Sequence, residues 1–166
     1  MPVLIGLENP KSPNNVGSAL RAIRCFDADS VRFSGTRLTR ALQYATDTKD
    51  FALTSPPLAV DDLLDDLPND VKVVAFELCE GAKPLCQFHH PKDCLYCFGP
   101  EDGTLSQAII DRADHVIFVP TVGCMNLAAS VNVVLYDRLC KTAALPPDLD
   151  AHIRRQRDTN NRVKQR

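Results

Sequence analysis

The chain of 166 residues lacks the features of a membrane protein, a secreted protein or a strongly basic nucleic-acid-binding protein. No apolar run approaches the length of a transmembrane helix, and the apolar stretch at the N-terminus is too short for a signal peptide. The formal net charge is −2, so any contact with nucleic acid must come from a local basic patch. We therefore expect a cytoplasmic protein with no membrane segment, and the length favours one domain with a sizeable core.

Familiar fingerprints of nucleotide binding and nucleophilic catalysis are also missing. The sequence contains neither Gly-x-Gly-x-x-Gly nor Gly-x-x-x-x-Gly-Lys, which argues against a dinucleotide fold and a P-loop. No sequence signal positions a Ser-His-Asp set, and no internal repeat is present. Any chemistry must therefore come from less familiar segments.

Seven cysteines are present, and an odd number does not suit a framework of disulfides. Most lie in apolar strings such as Cys94-Leu-Tyr-Cys-Phe98, which favours reduced, buried thiols. A zinc site is the alternative, because Cys94-x-x-Cys97 has ligand spacing. Its potential ligands are Cys79, Cys86, His89, His90, Cys94 and Cys97. The apolar neighbours of the last pair favour a buried strand over a zinc knuckle, so we predict no metal site.

Short apolar runs that alternate with helical patterns predict an α/β fold with a mostly parallel sheet flanked by helices. We expect Asn14 or Asn15 to cap the first helix. The predicted strands are residues 3–7, 30–34, 71–76, 95–98 and 115–119, with a short strand possible at 51–54. The predicted helices are residues 15–26, 37–44, 61–67, 106–112 and 127–140.

The stretch from Val116 to Tyr136 organises the rest of the chain. It reads as a buried strand, a loop in which Gly123 allows a sharp turn or a close approach, and a helix. Leu127, Val131, Val134 and Leu135 share one face of that helix, but its other sides are also largely apolar. A helix that is apolar most of the way round is buried on more than one side, so we expect the sheet on one side and a second copy of the protein on the other.

The C-terminal segment differs in composition from the rest. We divide the chain into one domain at residues 1–145 and a basic tail at 146–166, which begins at Pro146-Pro147. From residue 151 onward the tail has six Lys or Arg residues and one Asp. It is either a solvated end or an arm that contacts phosphates, since basic segments gain affinity by counterion release.

Three segments, residues 9–21, 98–106 and 116–136, each begin at the carboxyl end of a predicted strand. In open α/β sheets this edge is where ligands bind. Each segment alone could be only a tight turn. The occurrence of all three, each mixing Gly, Pro or Asn with a few polar groups, indicates a binding site.

The three segments resemble the motifs of the SpoU branch of the SpoU–TrmD, or α/β-knot, RNA methyltransferases, and the resemblance covers residues 3–139. The first motif corresponds to Asn15, Gly17 and Arg21, the second to Gly99, Glu101 and Leu105, and the third to Pro120 followed by Cys124-Met125-Asn126. There are two departures from the family pattern. The glycine of the second motif stands one place early, as Gly103, and Cys124 replaces the usual Ser, although a thiol is a weaker hydrogen-bond partner.

The resemblance implies an α/β fold with a C-terminal deep trefoil knot, a homodimer through the last helix, and S-adenosylmethionine bound in the knot loops. The cofactor contacts that it implies are Glu77, Leu78, Phe98, Gly99, Pro100, Val119, Cys124, Met125 and Asn126. The implied reaction is methyl transfer to a ribose 2′-hydroxyl of RNA. Among the subfamilies, the short chain, Phe-Gly-Pro-Glu and Met-Asn-Leu are similar to the enzymes that methylate the tRNA wobble ribose.

The resemblance also assigns roles to residues outside the cofactor site. Arg21 would activate or orient the hydroxyl, Asn15 would fix Arg21 or the ribose, and Glu101 would order the active loop. The helical periodicity turns Arg21 away from the core, so a plain solvated position is the alternative for that residue. RNA would be bound by Lys11, Arg21, Arg24, Arg37 and Arg40. The same chemistry on rRNA, or a non-catalytic RNA-binding knot protein, are the alternative functions.

Overall fold

The computed structural model describes residues 2–37 and 56–156 and contains a sheet of seven parallel strands. The strands lie in the order β3-β2-β1-β6-β4-β7-β5. Their bounds are β1 Val3–Glu8, β2 Ser30–Ser34, β3 Leu58–Ala59, β4 Lys72–Phe76, β5 Lys83–Pro84, β6 Cys94–Phe98 and β7 His115–Phe118. The predicted α/β fold with a parallel sheet flanked by helices is confirmed.

In the part of the chain that the structure describes, four α-helices and one short 3-10 helix accompany the sheet. They are α1 Pro13–Cys25, the 3-10 helix Leu85–Gln87, α2 Gln107–Arg112, α3 Leu127–Thr142 and α4 Leu149–Gln156. The cap of α1 is Ser12, whose hydroxyl accepts a hydrogen bond from Asn15 N at 3.4 Å. The prediction of Asn14 or Asn15 was therefore wrong, because Pro13 provides a favourable first helical residue and starts the helix earlier.

The core has two parts, one on each face of the sheet. On one face, α1 and α3 pack over Ile5 and Tyr96, both fully buried. On the other face, Leu63 and Ile109 cover Leu95. Strand β6 lies near the centre of the sheet and is buried at all five positions, which explains its continuous apolar sequence.

The predicted buried face of α3 is confirmed, since Leu127, Val131, Val134 and Leu135 are all buried. The helix also has apolar side chains on its outer side, where Tyr136 is 59% exposed. Among the residues that the structure describes, no helix is long and apolar enough to cross a membrane.

Residues 61–67, predicted as a helix, form turns instead. The Asp62 side chain accepts a hydrogen bond from Leu64 N at 2.8 Å, and Asp66 has a positive φ of 53°. Such local bonding by Asp competes with helix formation. Strands β3 and β5, two residues each, were too short for a periodic signal. Most of the predicted helix 37–44 and the possible strand 51–54 lie outside the described residues.

The cysteine prediction was only partly right. All seven thiols are free, but only Cys94 and Cys97 are buried. Burial raises the pKa of the Cys97 thiol to about 12. These two side chains pack in the core parts on opposite faces of the sheet, so Cys94-x-x-Cys97 is not a ligand pair. Within residues 2–37 and 56–156, no group of three or more Cys, His, Asp or Glu side chains could hold a metal ion.

Candidate functional site

The carboxyl ends of β1, β6, β4 and β7 lie side by side in the sheet, and the loops that follow them meet at this carboxyl edge. A pocket of about 430 Å³ opens among the loops after β6, β4 and β7. Its lining includes all nine residues predicted to contact a cofactor: Glu77, Leu78, Phe98, Gly99, Pro100, Val119, Cys124, Met125 and Asn126. Glu101 and the displaced Gly103 line it as well.

Gly99 is required by a close approach of two backbone segments. A Cβ atom at this position would lie 2.8 Å from Leu105 N and 3.1 Å from the carbonyl carbon of Thr104. Only a residue without a side chain lets the loop after β6 fold back this tightly. The same loop contains a turn in which Gly103 N donates to Pro100 O at 3.3 Å, and a Cβ at Gly103 would press on Pro100 Cγ at 3.3 Å. The displaced glycine therefore has a packing role where it stands.

The Glu77 carboxylate links the loop after β4 to the loop after β6. One oxygen accepts a hydrogen bond from Leu105 N at 2.7 Å, and the other accepts one from Leu78 N at 2.9 Å. Leu78 itself is 71% exposed at the pocket. Glu77 thus fixes the shape of the pocket wall through backbone groups.

The Glu101 carboxylate joins the loop after β6 to the start of α1. It accepts hydrogen bonds from Lys11 N at 2.7 Å, Ser12 N at 3.0 Å and Asn15 Nδ2 at 3.1 Å. Partial burial works against ionisation of this carboxyl, but these hydrogen bonds outweigh it and lower its pKa. Asn15 and Glu101 therefore come together as the motifs indicated, and the Asn15 amide nitrogen is bound to Glu101.

Glu8 belongs to the same arrangement, although sequence reasoning missed it. Its carboxylate, at the end of β1, accepts a hydrogen bond from Ser106 N at 2.8 Å. The available signal was a charged residue directly after the apolar strand. Glu8 and Glu77 accept hydrogen bonds from backbone N–H groups at the end of the second motif. Glu101 accepts them from backbone N–H groups just before α1, so three acidic side chains connect the loops at this edge.

The loop after β7 closes the pocket and leads into α3. Thr121 Oγ1 donates to Gly123 O at 2.7 Å, and the Asn126 side chain caps α3 by accepting from Ala129 N at 2.7 Å. Gly123 lies in a bend of this loop and lines the pocket. Its φ lies outside the left-handed region and a Cβ there would meet no described atom within 4 Å, so the bend itself does not require a glycine. Cys124, in the place of the family serine, is exposed beside it.

The basic residues predicted to bind RNA fall into two groups. Lys11 and Arg37 meet at Asp102, with Lys11 Nζ 3.2 Å from the carboxylate and Arg37 Nη1 3.0 and 2.9 Å from its two oxygens. Arg21 and Arg24 are exposed on α1, and Arg21 is outside the pocket lining. The fifth residue, Arg40, lies outside the described residues.

The pKa of Asp102 is lowered by its two cationic neighbours. Hydrogen bonds from Arg37 and then from Lys11 hold its pKa down to about 2. The same pair raises the pKa of the Arg37 guanidinium, mainly through its hydrogen bond to Asp102. The carboxyl edge thus carries a pocket with both polar and apolar lining residues next to a surface cluster of two cations and one carboxylate.

A parallel sheet with a pocket at its carboxyl edge is the arrangement in which α/β proteins bind small ligands among the strand-to-helix loops. The chain belongs to the SpoU rRNA Methylase family, which matches residues 2–136. The resemblance drawn from the motifs is therefore confirmed. No curated protein sequence matches the chain.

Several solved structures share the fold. The chain is similar to an rRNA methyltransferase from Sinorhizobium meliloti, with a TM-score of 0.75 and 17% identity over 86% of this chain and 57% of that one. It is similar to a protein solved for the 2-OH methylation of C/U34 on tRNA, with a TM-score of 0.72 and 20% identity over 86% and 91%. It is also similar to the SpoU methyltransferase AviRb from Streptomyces viridochromogenes, with a TM-score of 0.69 and 19% identity over 84% of this chain and 59% of that one. The chain thus spans little more than half of two of these relatives.

Proposed function

We propose that this protein transfers a methyl group from S-adenosylmethionine to a ribose 2′-hydroxyl of RNA in the cytoplasm. The observation that carries the proposal is that the nine residues predicted to contact the cofactor, spread over 50 positions from Glu77 to Asn126, line a single pocket. Membership of the SpoU family supports the same chemistry. Relatives solved with AdoMet bound, AviRb and the Sinorhizobium meliloti enzyme, support the choice of cofactor.

The residues of the pocket fit this cofactor. Its volume of about 430 Å³ lies in the range of small-molecule sites. Phe98, Val119 and Met125 provide apolar surface for an adenine ring, and the backbone around Gly99 can approach a ligand closely. When bound, the cofactor supplies an electrophilic methyl group on a sulfonium.

The protein's own contribution is to orient the ribose 2′-hydroxyl. A cofactor held by the pocket residues would supply its methyl group to the 2′-oxygen and leave as a neutral thioether, and the hydroxyl proton would pass to solvent water. A guanidinium has five N–H donors and no acceptor, so Arg21 is suited to donating hydrogen bonds and not to accepting the proton. Its better-suited role is to grip the neighbouring phosphate with two donors and hold the hydroxyl in line. The hydrogen bond between Asn15 and Glu101 would fix the start of α1, and with it the helix that carries Arg21.

The proposal includes a homodimer through α3 and a knotted C-terminal part. Tyr136 and Leu139 leave the outer side of α3 partly apolar, with exposed fractions of 59% and 43%. Since Arg21 is not in the pocket lining of its own chain, a partner subunit's pocket is a suitable place for it to act. The knot is inferred from family membership and from the proximity of the loops after β6 and β7, which line one pocket. The tail at 146–166 stays a separate unit in this proposal, since α4 has no buried residue.

We favour tRNA as the substrate, with rRNA as the second candidate. The relative associated with methylation of C/U34 on tRNA is matched over 91% of its length, whereas the Sinorhizobium meliloti rRNA methyltransferase is matched over 57%. The Phe98-Gly-Pro-Glu101 sequence supports the same choice.

Mass spectrometry of tRNA and rRNA nucleosides from a strain lacking the protein tests the proposal. We expect one 2′-O-methylated nucleoside to disappear from tRNA and to return with the wild-type gene. If the nucleoside disappears from rRNA instead, rRNA and not tRNA is the substrate. If the nucleosides in both pools are unchanged and calorimetry detects no binding of S-adenosylmethionine, the proposed activity is wrong. The alternative, a non-catalytic RNA-binding protein, is then favoured.

A further inference from the structure

The turn after β6 has two functional sides. Pro100, Glu101 and Gly103 line the pocket, but Asp102 between them does not. Its carboxylate binds Lys11 and Arg37 instead. One short turn therefore connects the proposed cofactor pocket to two of the cations predicted to contact RNA.

Arg37 is held in place independently of Asp102. Its Nε and Nη2 donate to the carbonyl oxygen of Asn9 at 3.1 and 2.6 Å. Asn9 has a positive φ of 44°, and a Cβ at Gly35 would lie 2.6 Å from Asn9 Oδ1. This tightly packed backbone fixes the guanidinium so that its remaining Nη1 donor points at the two oxygens of Asp102.

The cluster lies at the surface, where a macromolecular anion can reach it. The side chains of Lys11, Asp102 and Arg37 are 60%, 42% and 31% exposed. Carboxylate and phosphate oxygens satisfy the same guanidinium and ammonium donors. An anion that binds Lys11 and Arg37 must therefore compete with Asp102.

We propose that Asp102 occupies, in the free protein, the place that an RNA phosphate takes between Lys11 and Arg37, and so acts as a built-in competitor of RNA. This inference rests on the proposed function, because it takes RNA as the substrate. The competitor weakens non-specific binding to any polyanion, so binding depends more on contacts elsewhere on the correct RNA. Asp102, whose carboxylate the RNA phosphate would displace, lies next to Glu101 in the turn after β6.

The test is the affinity of the full chain for bulk tRNA, measured by fluorescence anisotropy over a series of salt concentrations. Asp102→Asn keeps the shape of the side chain and removes its charge. We expect it to tighten tRNA binding about two- to fivefold, as the loss of an exposed competing ion pair implies, and to steepen the salt dependence. Weaker or unchanged binding overturns the inference.

The matched control is Asp111→Asn, which makes the same change in net charge on the exposed surface of α2, where Asp111 accepts a hydrogen bond from Gln107 Nε2. Equal tightening by both variants would reduce the effect to overall charge and overturn the role of Asp102. In an Arg37→Gln background, the tightening by Asp102→Asn should largely disappear. Persistence of the full effect there would show that Asp102 does not act through Arg37.

The same measurements separate this inference from the proposed function. If wild-type protein binds tRNA and Asp102→Asn does not bind it more tightly, only the role of Asp102 fails. If wild-type protein binds neither bulk tRNA nor rRNA, the proposed function fails and the competitor role fails with it. Circular dichroism of each variant verifies that the fold is retained.

Discussion

The two edges of the sheet are held by opposite chemistry. At the carboxyl edge, the carboxylates of Glu8, Glu77 and Glu101 accept hydrogen bonds from backbone N–H groups of the loops. At the amino edge, Arg138 and Lys141 near the end of α3 donate to backbone carbonyls of residues 85–92. The carboxyl edge surrounds an open pocket, whereas at the amino edge the side chains of α3 hold the preceding loop in place through hydrogen bonds.

A buried polar group strengthens the amino edge further. His90 has a fully buried side chain, with Nδ1 2.5 Å from the Tyr96 hydroxyl and Nε2 2.8 Å from Asp137 Oδ2. Asp137 also pairs with Lys141 at 2.7 Å. A satisfied network of this kind rigidifies its surroundings. Substitutions at the carboxyl edge should therefore affect mainly activity and cofactor binding. Substitutions at the amino edge should affect mainly stability.

The largest expected effect is at the carboxyl edge, in Arg21→Ala. Loss of the group that orients the reacting hydroxyl should lower methyl transfer about 10²-fold or more and leave S-adenosylmethionine affinity nearly unchanged. Single-turnover assays and calorimetry measure the two quantities. Lys72→Ala, which removes an exposed cation at the amino edge, is the control. Full activity in Arg21→Ala would remove this residue from the mechanism.

Gly99→Ala should be the next most damaging change. The new Cβ would lie 2.8 Å from Leu105 N, so the loop must move, and overpacking of this kind costs about 1–3 kcal/mol. We expect cofactor affinity to fall at least about tenfold because the pocket wall shifts. Gly123→Ala is the matched control for stability, since its Cβ would meet no described atom within 4 Å. Equal thermal stability of the two variants would contradict the close approach.

The amino edge should make stability depend on pH in mildly acidic solution. Desolvation lowers the pKa of His90, opposed by its hydrogen bond to Asp137, while the charges of Arg138 and Lys141 lower it further. The unfolded chain therefore binds a proton more readily than the folded chain. Stability should be complete above the ordinary histidine pKa of about 6.5 and should fall as the pH drops from there through the folded pKa.

Urea unfolding between pH 5 and 8 measures this dependence. In His90→Gln the part of the loss that begins near pH 6.5 should vanish, although the variant is less stable at every pH because Asp137 and Tyr96 lose a partner. His89→Gln, at the neighbouring position, is the control. An unchanged pH profile in His90→Gln would assign the loss to other groups.

The fold was largely predictable because its central strands are buried on both faces. Strands β1, β4 and β6 have continuous apolar sequences, and the motif loops follow directly from strand ends. The contacts that shape the site were not predictable in the same way. Glu8 accepts a hydrogen bond from Ser106 N, 98 positions away, and no local sequence pattern at either residue predicts this contact. The helix prediction for residues 61–67 failed for a different reason, since the Asp62 side chain accepts a backbone hydrogen bond within a turn.

The smallest expected effect returns to the open edge, in Cys124→Ser. This change restores the side chain that the family motif carries, and a hydroxyl is a stronger hydrogen-bond partner than a thiol. Because Cys124 is exposed in the pocket lining, no packing must change to accommodate the serine. One improved hydrogen bond contributes about 0.5–1.5 kcal/mol, so we expect cofactor affinity to rise by up to about tenfold in calorimetry. A loss of affinity would mean that the pocket has adapted to the thiol, and the family motif would then be a poor guide to this part of the site.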